Sequence, residues 1–222
     1  AGLPDPDWGH QDMKTRMATR ARQDAFSVAA RVFEKWLMAD EDALAYAKGR
    51  GWTDETIATA RLGYTGQWAN KDALIKDMQN EFSYEGVQLE SPAAVGILGW
   101  QGDVKAWGER HGVAVSEKWV QKRQIPGLIG RDMLLYPHLH YGQVVYFSGR
   151  GVHEKTHYNV PESLAGPRQA YFNAEWSPEA FECVIVEGQA CAISLAQWGI
   201  PAVALAGTSI SDDLIRKLIK NR

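Results

Sequence analysis

The residues best suited to chemistry are the run Val184-Ile185-Val186-Glu187-Gly188. Three apolar residues lead into an acid and a glycine, the pattern of a buried strand whose carboxyl end carries a carboxylate before the chain turns into a helix. In open α/β sheets that edge is where ligands bind. A carboxylate there holds a hard divalent ion or moves a proton, and phosphoryl transfer needs both services. A strand-end Glu also serves as a plain solvated or capping residue, so the motif by itself leaves both readings open. A second pattern, His153-Glu154-Lys155-Thr156-His157, satisfies the H-E-x-x-H spacing of zinc peptidases, in which two imidazoles one helical turn apart bind the metal. It requires a helix, and Gly149 and Gly151 before it and Asn159-Val160-Pro161 after it argue against one. His138 and His140 extend it only to a loose cluster, read as surface or phosphate-facing histidines. Most of the 9 tryptophans are expected in the core, but Trp100, Trp107 and Trp119 lie among Lys105, Arg110, Lys118, Lys122 and Arg123. Those three are the candidates for stacking on nucleic-acid bases.

The elements that must position these residues follow from periodicity. Ala25, Val28, Ala29, Val32, Phe33, Trp36 and Leu37 recur at helical spacing and predict an amphipathic helix over about 20–46. Thr53, followed by Asp54 and Glu55, reads as the cap of a short helix through Arg61, and residues 70–80 predict another. The Gly- and Trp-rich stretch 83–127 has no clear period. Leu134 to Tyr136 and Gln143 to Phe147 predict two strands of a hairpin turning at His140 to Gly142. Glu182 to Val186, Ala190 to Trp198, Ala202 to Leu205 and Ser211 to Lys220 alternate strand, helix, strand, helix, which predicts a parallel crossover unit. The basic residues Lys14, Arg16, Arg20 and Arg22 read as a solvated face or linker.

Composition sets bounds without naming a function. The 222 residues are 45% hydrophobic and 23% charged, enough to bury a core in one or two domains. A net charge of -3 gives no overall basic footprint, so any nucleic-acid contact depends on local cations. Cys183 and Cys191 are too few for a disulfide framework or a four-thiolate zinc site. With no long apolar run and no signal-peptide pattern at Ala1 to Asp12, no membrane partner and a cytoplasmic place are expected.

At this point the chain resembles a family. Val184 to Ser209, with Ala206-Gly-Thr-Ser209, is similar to the first half of the TOPRIM domain of DnaG-type primases of bacteria, phages or mobile elements. Tyr46 to Ile57 with Arg61-Leu-Gly-Tyr64, Tyr136-Pro137 with Gly142 to Val145 and Phe147-Ser-Gly-Arg150, and Tyr158 to Ser163 resemble three further segments of the family's catalytic core, in its order. The resemblance implies a mixed α/β fold: a linker or disordered start over 1–19, a helix-and-hairpin subdomain over 20–175 and a partial, Rossmann-like TOPRIM βαβα unit over 176–222. It implies an enzyme that copies single-stranded DNA into short RNA primers from ribonucleoside triphosphates, with Mg2+ or Mn2+ and a replicative helicase as partner. Glu187 then matches the family's catalytic and metal-binding acid. Arg131, Arg150 and Asn159 match its template- or nucleotide-binding positions, and one groove with Glu187 is expected. The sequence departs from the pattern where Gln189-Ala190-Cys191 carries no acid, where Thr156 stands at a Lys position and displaces that role to Lys155, and where His138-Leu139-His140 replaces a basic pair. The remaining metal ligands are expected beyond residue 222, and the chain by itself is expected to make little or no primer. The competing readings are a noncatalytic single-stranded DNA-binding module with the same fold and, for residues 183–212 alone, a TOPRIM nuclease or topoisomerase.

Overall fold

The computed structural model describes residues 13–140, 142–166, 170–172, 183–205 and 215. Helix α1 (Met13–Ala39) begins earlier than the expected 20, and Asp40 separates it from α2 (Glu41–Lys48), so the single helix predicted over 20–46 is two. The reason is local: Asp40 leaves the helical region at φ -105°, ψ 109°, and its carboxylate accepts the Ala43 N–H at 2.9 Å, an N-cap followed at once by Glu41 and Asp42. Helix α3 (Asp54–Thr59) starts at the predicted cap, Thr53, and α4 (Lys71–Tyr84) covers the predicted 70–80.

The predicted hairpin is present as β4 (Met133–His140) and β5 (Gln143–Gly151), flanked by β1 (Gly63–Tyr64) and β6 (His157–Asn159) in the antiparallel order β1-β4-β5-β6. Both faces of β4 are covered. Leu135 enters a core with Phe26, Phe33 and Phe147, while Leu134 and Tyr136 enter a second core with Leu37, Trp52, Ala192 and Ala204. Alternation along one strand thus joins the two cores. Phe26 and Phe33 on α1 meet Phe147 edge-on at ring separations of 5.4 and 6.0 Å, each burial contributing about 1.5–3 kcal/mol.

The unclassified stretch resolves into α5 (Pro92–Leu98), β2 (Trp100–Gln101), α6 (Val104–His111), α7 (Glu117–Lys122) and β3 (Gln124–Ile125). Beyond α8 (Glu162–Ala165), β7 (Tyr171–Phe172), β8 (Val184–Val186) and β9 (Ala202–Ala204) form a sheet in the order β7-β9-β8, and β8 pairs with β9 in parallel through α9 (Gln189–Gln197). The crossover unit is therefore as predicted, with one correction. β8 is not a buried strand: Val184 and Ile185 are 42% and 45% exposed, and among the described residues β8 pairs with β9 alone. The helix expected over 211–220 (Ile215 excepted), the Ala206 to Ser209 run, Trp176 and the expected division near 175 lie outside the described residues.

Gly63 shows how tightly α1 is laid on the sheet: a Cβ there would stand 2.6 Å from Phe33 Cβ. Gly63→Ala is expected to destabilise the protein by about 1–3 kcal/mol in urea unfolding, since backbone and not a flexible side chain must move.

Candidate nucleic-acid interface

Strand register sorts the predicted site residues onto two faces. Arg150 pairs with Leu134 on one side and His157 on the other, and Ser148 pairs with Tyr136 and Asn159. Arg150 and Asn159 therefore share the face of Leu134 and Tyr136, which packs on the crossover unit. Arg150 donates from Nη1 to His157 Nε2 at 3.1 Å, which requires the neutral imidazole tautomer with its proton on Nδ1. The hydroxyl of Tyr136 lies buried on this face with no hydrogen-bond partner among the described residues, its pKa pushed up to about 12 by burial and pulled back by Arg50 and Arg150. Tyr136 remains a donor throughout the physiological range.

Arg131 does not join them. Its guanidinium stacks 4.0 Å above the Tyr158 ring, and its Nε donates to the Gly127 carbonyl at 2.6 Å. Tyr158 pairs with Gly149, on the face of Leu135 and Met133, so it alternates away from Asn159. The expected single groove is therefore two surfaces meeting at the β6 edge of the sheet. Lys155 is exposed in the turn between β5 and β6, where Thr156 rather than Lys155 closes back on Gly151.

A surface that the sequence reading missed adjoins Arg131. Trp68 is 70% exposed, Lys71 Nζ stands 4.3 Å over its ring, and both side chains pack beside Gly130. Trp68 is thus an exposed aromatic with cations beside it: Lys71, which also pairs with Asp72 at 3.2 Å, and Arg131, which stacks on the partly buried Tyr158 ring; an exposed aromatic flanked by cations suits single-stranded nucleic acid. The tryptophans expected to do this face inward. Trp107 is 1% exposed and donates its indole N–H to the Glu90 carbonyl at 3.0 Å, and Trp100 and Trp119 pack partly buried against the core. The available signal was position: Trp68 stands two residues after Gly66 and opens a single 3-10 turn (Trp68–Asn70) between β1 and α4, outside any long periodic element.

A second unanticipated feature is a cleft of about 430 Å³ lined by Arg50, Trp52, Ala190, Cys191, Ser194 and Leu195. Arg50 lies 4.9 Å over the Tyr46 ring and 5.5 Å from that of Trp52, and donates to the Tyr46 hydroxyl at 2.6 Å. Ala190 and Cys191 belong to the first turn of α9, whose N-cap Gly188 offers no side chain, so a cation faces a helix start that lacks a side-chain cap. Glu187, exposed at the end of β8, immediately precedes that turn.

No group of three His, Cys, Asp or Glu able to hold a metal occurs among the described residues. A hard divalent ion takes about six oxygen ligands, and Glu187 alone does not provide such a site. The H-E-x-x-H pattern is dismantled. His153 pairs with Asp132 at 2.7 Å, His157 lies in strand β6 against Arg150, and no helix joins them. His138 is buried against Ser148 Oγ at 2.8 Å and is a core residue, not part of a surface cluster.

No family model matches the chain. It is similar to a DNA primase of Geobacillus stearothermophilus, 29% identical over 222 residues, covering 95% of this chain and 33% of that protein. Among solved structures it matches the RNA polymerase domain of Mycobacterium tuberculosis primase DnaG in complex with a double-stranded DNA oligomer (TM-score 0.66, 22% identity, 93% of this chain and 60% of that one). It also matches the DnaG primase catalytic domain bound to single-stranded DNA (TM-score 0.60, 21% identity, 91% and 59%). The Aquifex aeolicus primase with its zinc-binding and RNA polymerase domains gives 0.62 at 19% identity, covering 95% and 48%. The chain has the mixed α/β fold of the DnaG primase catalytic core and resembles that family along nearly its whole length. It spans a third of its curated relative and about half to three-fifths of the solved chains.

Asp132 links this surface to pH. Its carboxylate accepts the buried Tyr64 hydroxyl at 2.6 Å and pairs with exposed His153, whose pKa is raised from 6.5 first by the hydrogen bond to Asp132 and then by its charge. A raised histidine pKa stabilises fully below 6.5, and the contribution fades as pH rises through the raised value. Asp132→Asn is expected to return the His153 titration, followed by NMR, towards 6.5 and to flatten stability over the same window.

Proposed function

We propose that this chain is part of the catalytic core of a DNA primase, a nucleotidyltransferase that copies single-stranded DNA into short RNA primers during replication. The observation that carries this reading is the pairing of the DnaG-core fold with an edge on which the exposed aromatic Trp68 is flanked by the cations Lys71 and Arg131. The template strand lies along that edge, its bases stacking on Trp68 and its phosphates on Lys71 and Arg131. Arg150 and Asn159, with Arg50 across the cleft, hold the incoming ribonucleoside triphosphate or the nascent duplex, and Lys155 contributes from the β5–β6 turn. Residues from about 176 onward are the TOPRIM part of the core, with Glu187 as its catalytic acid. Mg2+ or Mn2+ would neutralise the triphosphate, with Glu187 supplying one ligand and the others lying outside the described residues. A cytoplasmic place fits this role, and no described helix is long and apolar enough to cross a membrane. A replicative helicase is the expected protein partner.

Incorporation of labelled ribonucleotides on single-stranded DNA, with magnesium or manganese, tests the reading in the protein that carries this chain. Glu187→Gln is expected to lower synthesis by at least about a hundredfold while leaving template affinity intact. Trp68→Ala is expected to weaken single-strand binding by roughly 5- to 150-fold, the loss of one stacked base. DNA binding without any RNA synthesis would replace this reading with a noncatalytic binding module, and strand nicking without synthesis with a nuclease.

A further inference from the structure

The segment between Gly99 and Gly127 is a small lobe on a two-strand neck. β2 and β3 pair Trp100 with Ile125 and Gln101 with Gln124, and α6 and α7 form the lobe itself. The neck is closed by direct backbone packing: a Cβ on Gly127 would stand 2.3 Å from Gly99 N and 2.5 Å from Ile97 O. The lobe is anchored at Glu90, whose carbonyl accepts the Trp107 indole N–H and whose carboxylate pairs with Arg110 at 3.1 Å. Its aromatic residues turn inward and its cations outward. In a chain of net charge -3, residues 99–127 carry five cations (Lys105, Arg110, Lys118, Lys122, Arg123) against three acids (Asp103, Glu109, Glu117).

The backbone at the end of α7 supplies an independent sign. α6 and α7 both end on a left-handed residue, φ 64° and 51°, but α6 uses Gly112 and α7 uses Arg123. A side chain in that region costs roughly 1–2 kcal/mol that glycine avoids. Three described non-glycine residues have positive φ. Arg61 is held there by Glu34 at 2.8 Å, and Asp132 by Tyr64 and His153. Arg123 is exposed, with no hydrogen-bonded or ionic side-chain partner recorded among the described residues. Lys118 and Lys122, four residues apart on one face of α7, are exposed beside it. Arg123 thus extends an exposed lysine face in a strained conformation, and no side chain among the described residues pairs with its charge.

We propose that Lys118, Lys122 and Arg123 form a second nucleic-acid contact, gripping the phosphodiester backbone without reading bases and outside the Trp68–Arg131 edge. The inference rests on the nucleic-acid reading above and adds a separate element to it. Each phosphate contact contributes about 0.7 to the salt dependence of single-strand binding and about 0.9 to that of duplex binding. The test is fluorescence anisotropy over a salt series with labelled single-stranded and duplex oligonucleotides. Lys118→Glu/Lys122→Glu is expected to weaken binding by about tenfold or more at low salt and to lower the slope by about 1.5 or more. Arg123→Gly separates binding from structure: thermal stability is expected to hold or rise as strain is relieved, while the salt slope falls by about 0.7–0.9. Loss on either oligonucleotide supports the proposal. Wild-type affinity and slope in both variants, with Arg123→Gly destabilised, would overturn it and make these cations plain partners of the α7 carboxyl-terminal dipole. Trp68→Ala, measured alongside, tells the two failures apart: if it weakens binding and the lobe variants do not, only the lobe proposal falls.

Discussion

Everything in this protein depends on β4 being buried on both faces. A strand normally offers one face to a core and one to water, but β4 gives Leu135 to the α1 core and Leu134 and Tyr136 to the core shared with α2, α9 and β9. A one-residue slip of the hairpin would exchange the two sets and put side chains of the wrong size and shape into both cores, so packing on both faces fixes the register of β4 with β5. The same register fixes the interface. Arg150 lies across from Leu134 and Asn159 across from Ser148, so both are held on the crossover-unit face, while Tyr158 carries Arg131 to the other. The positions proposed to contact ligands are thus set by strands whose alternation packing already enforces, which is how a site acquires precision without its own rigid scaffold.

The charges follow a division of labour. Arg61, Arg110 and Lys48 are paired with Glu34, Glu90 and Asp54 and belong to the fold. Arg50 and Arg131 lie over aromatic rings and keep part of their donor capacity for a ligand. Guanidinium stacked on an aromatic is pre-ordered, so little freedom is lost when it meets a phosphate. A near-neutral protein can hold a polyanion in this way, through a few placed cations instead of a basic surface.

Much of this was legible in the sequence, where local chemistry decides local structure. Thr53 capped its helix, the hairpin showed its strands, and the strand-helix-strand order gave the parallel crossover with Glu187 at the strand end. The break at Asp40 was hidden because apolar spacing continues through Leu44 and Ala47, so periodicity and capping disagreed and the cap won. Contacts between distant residues left no local trace. The Arg131–Tyr158 stack, the Asp132–His153 pair and the Arg50 cleft each join segments far apart along the chain. Tryptophan orientation was unreadable for the same reason: Trp107 lies among lysines and arginines in sequence yet points at Glu90, while Trp68 points at water.

The central claim is that a nucleic-acid strand lies along the edge built from Trp68, Lys71 and Arg131. Photocrosslinking with 5-iodouracil placed at successive positions of a single-stranded oligonucleotide, followed by peptide mapping, addresses it most directly. The account predicts crosslinks to Trp68 that are lost in excess unlabelled single strand. Crosslinks confined to other surfaces, with the Trp68 peptide unmodified at every position, would contradict it.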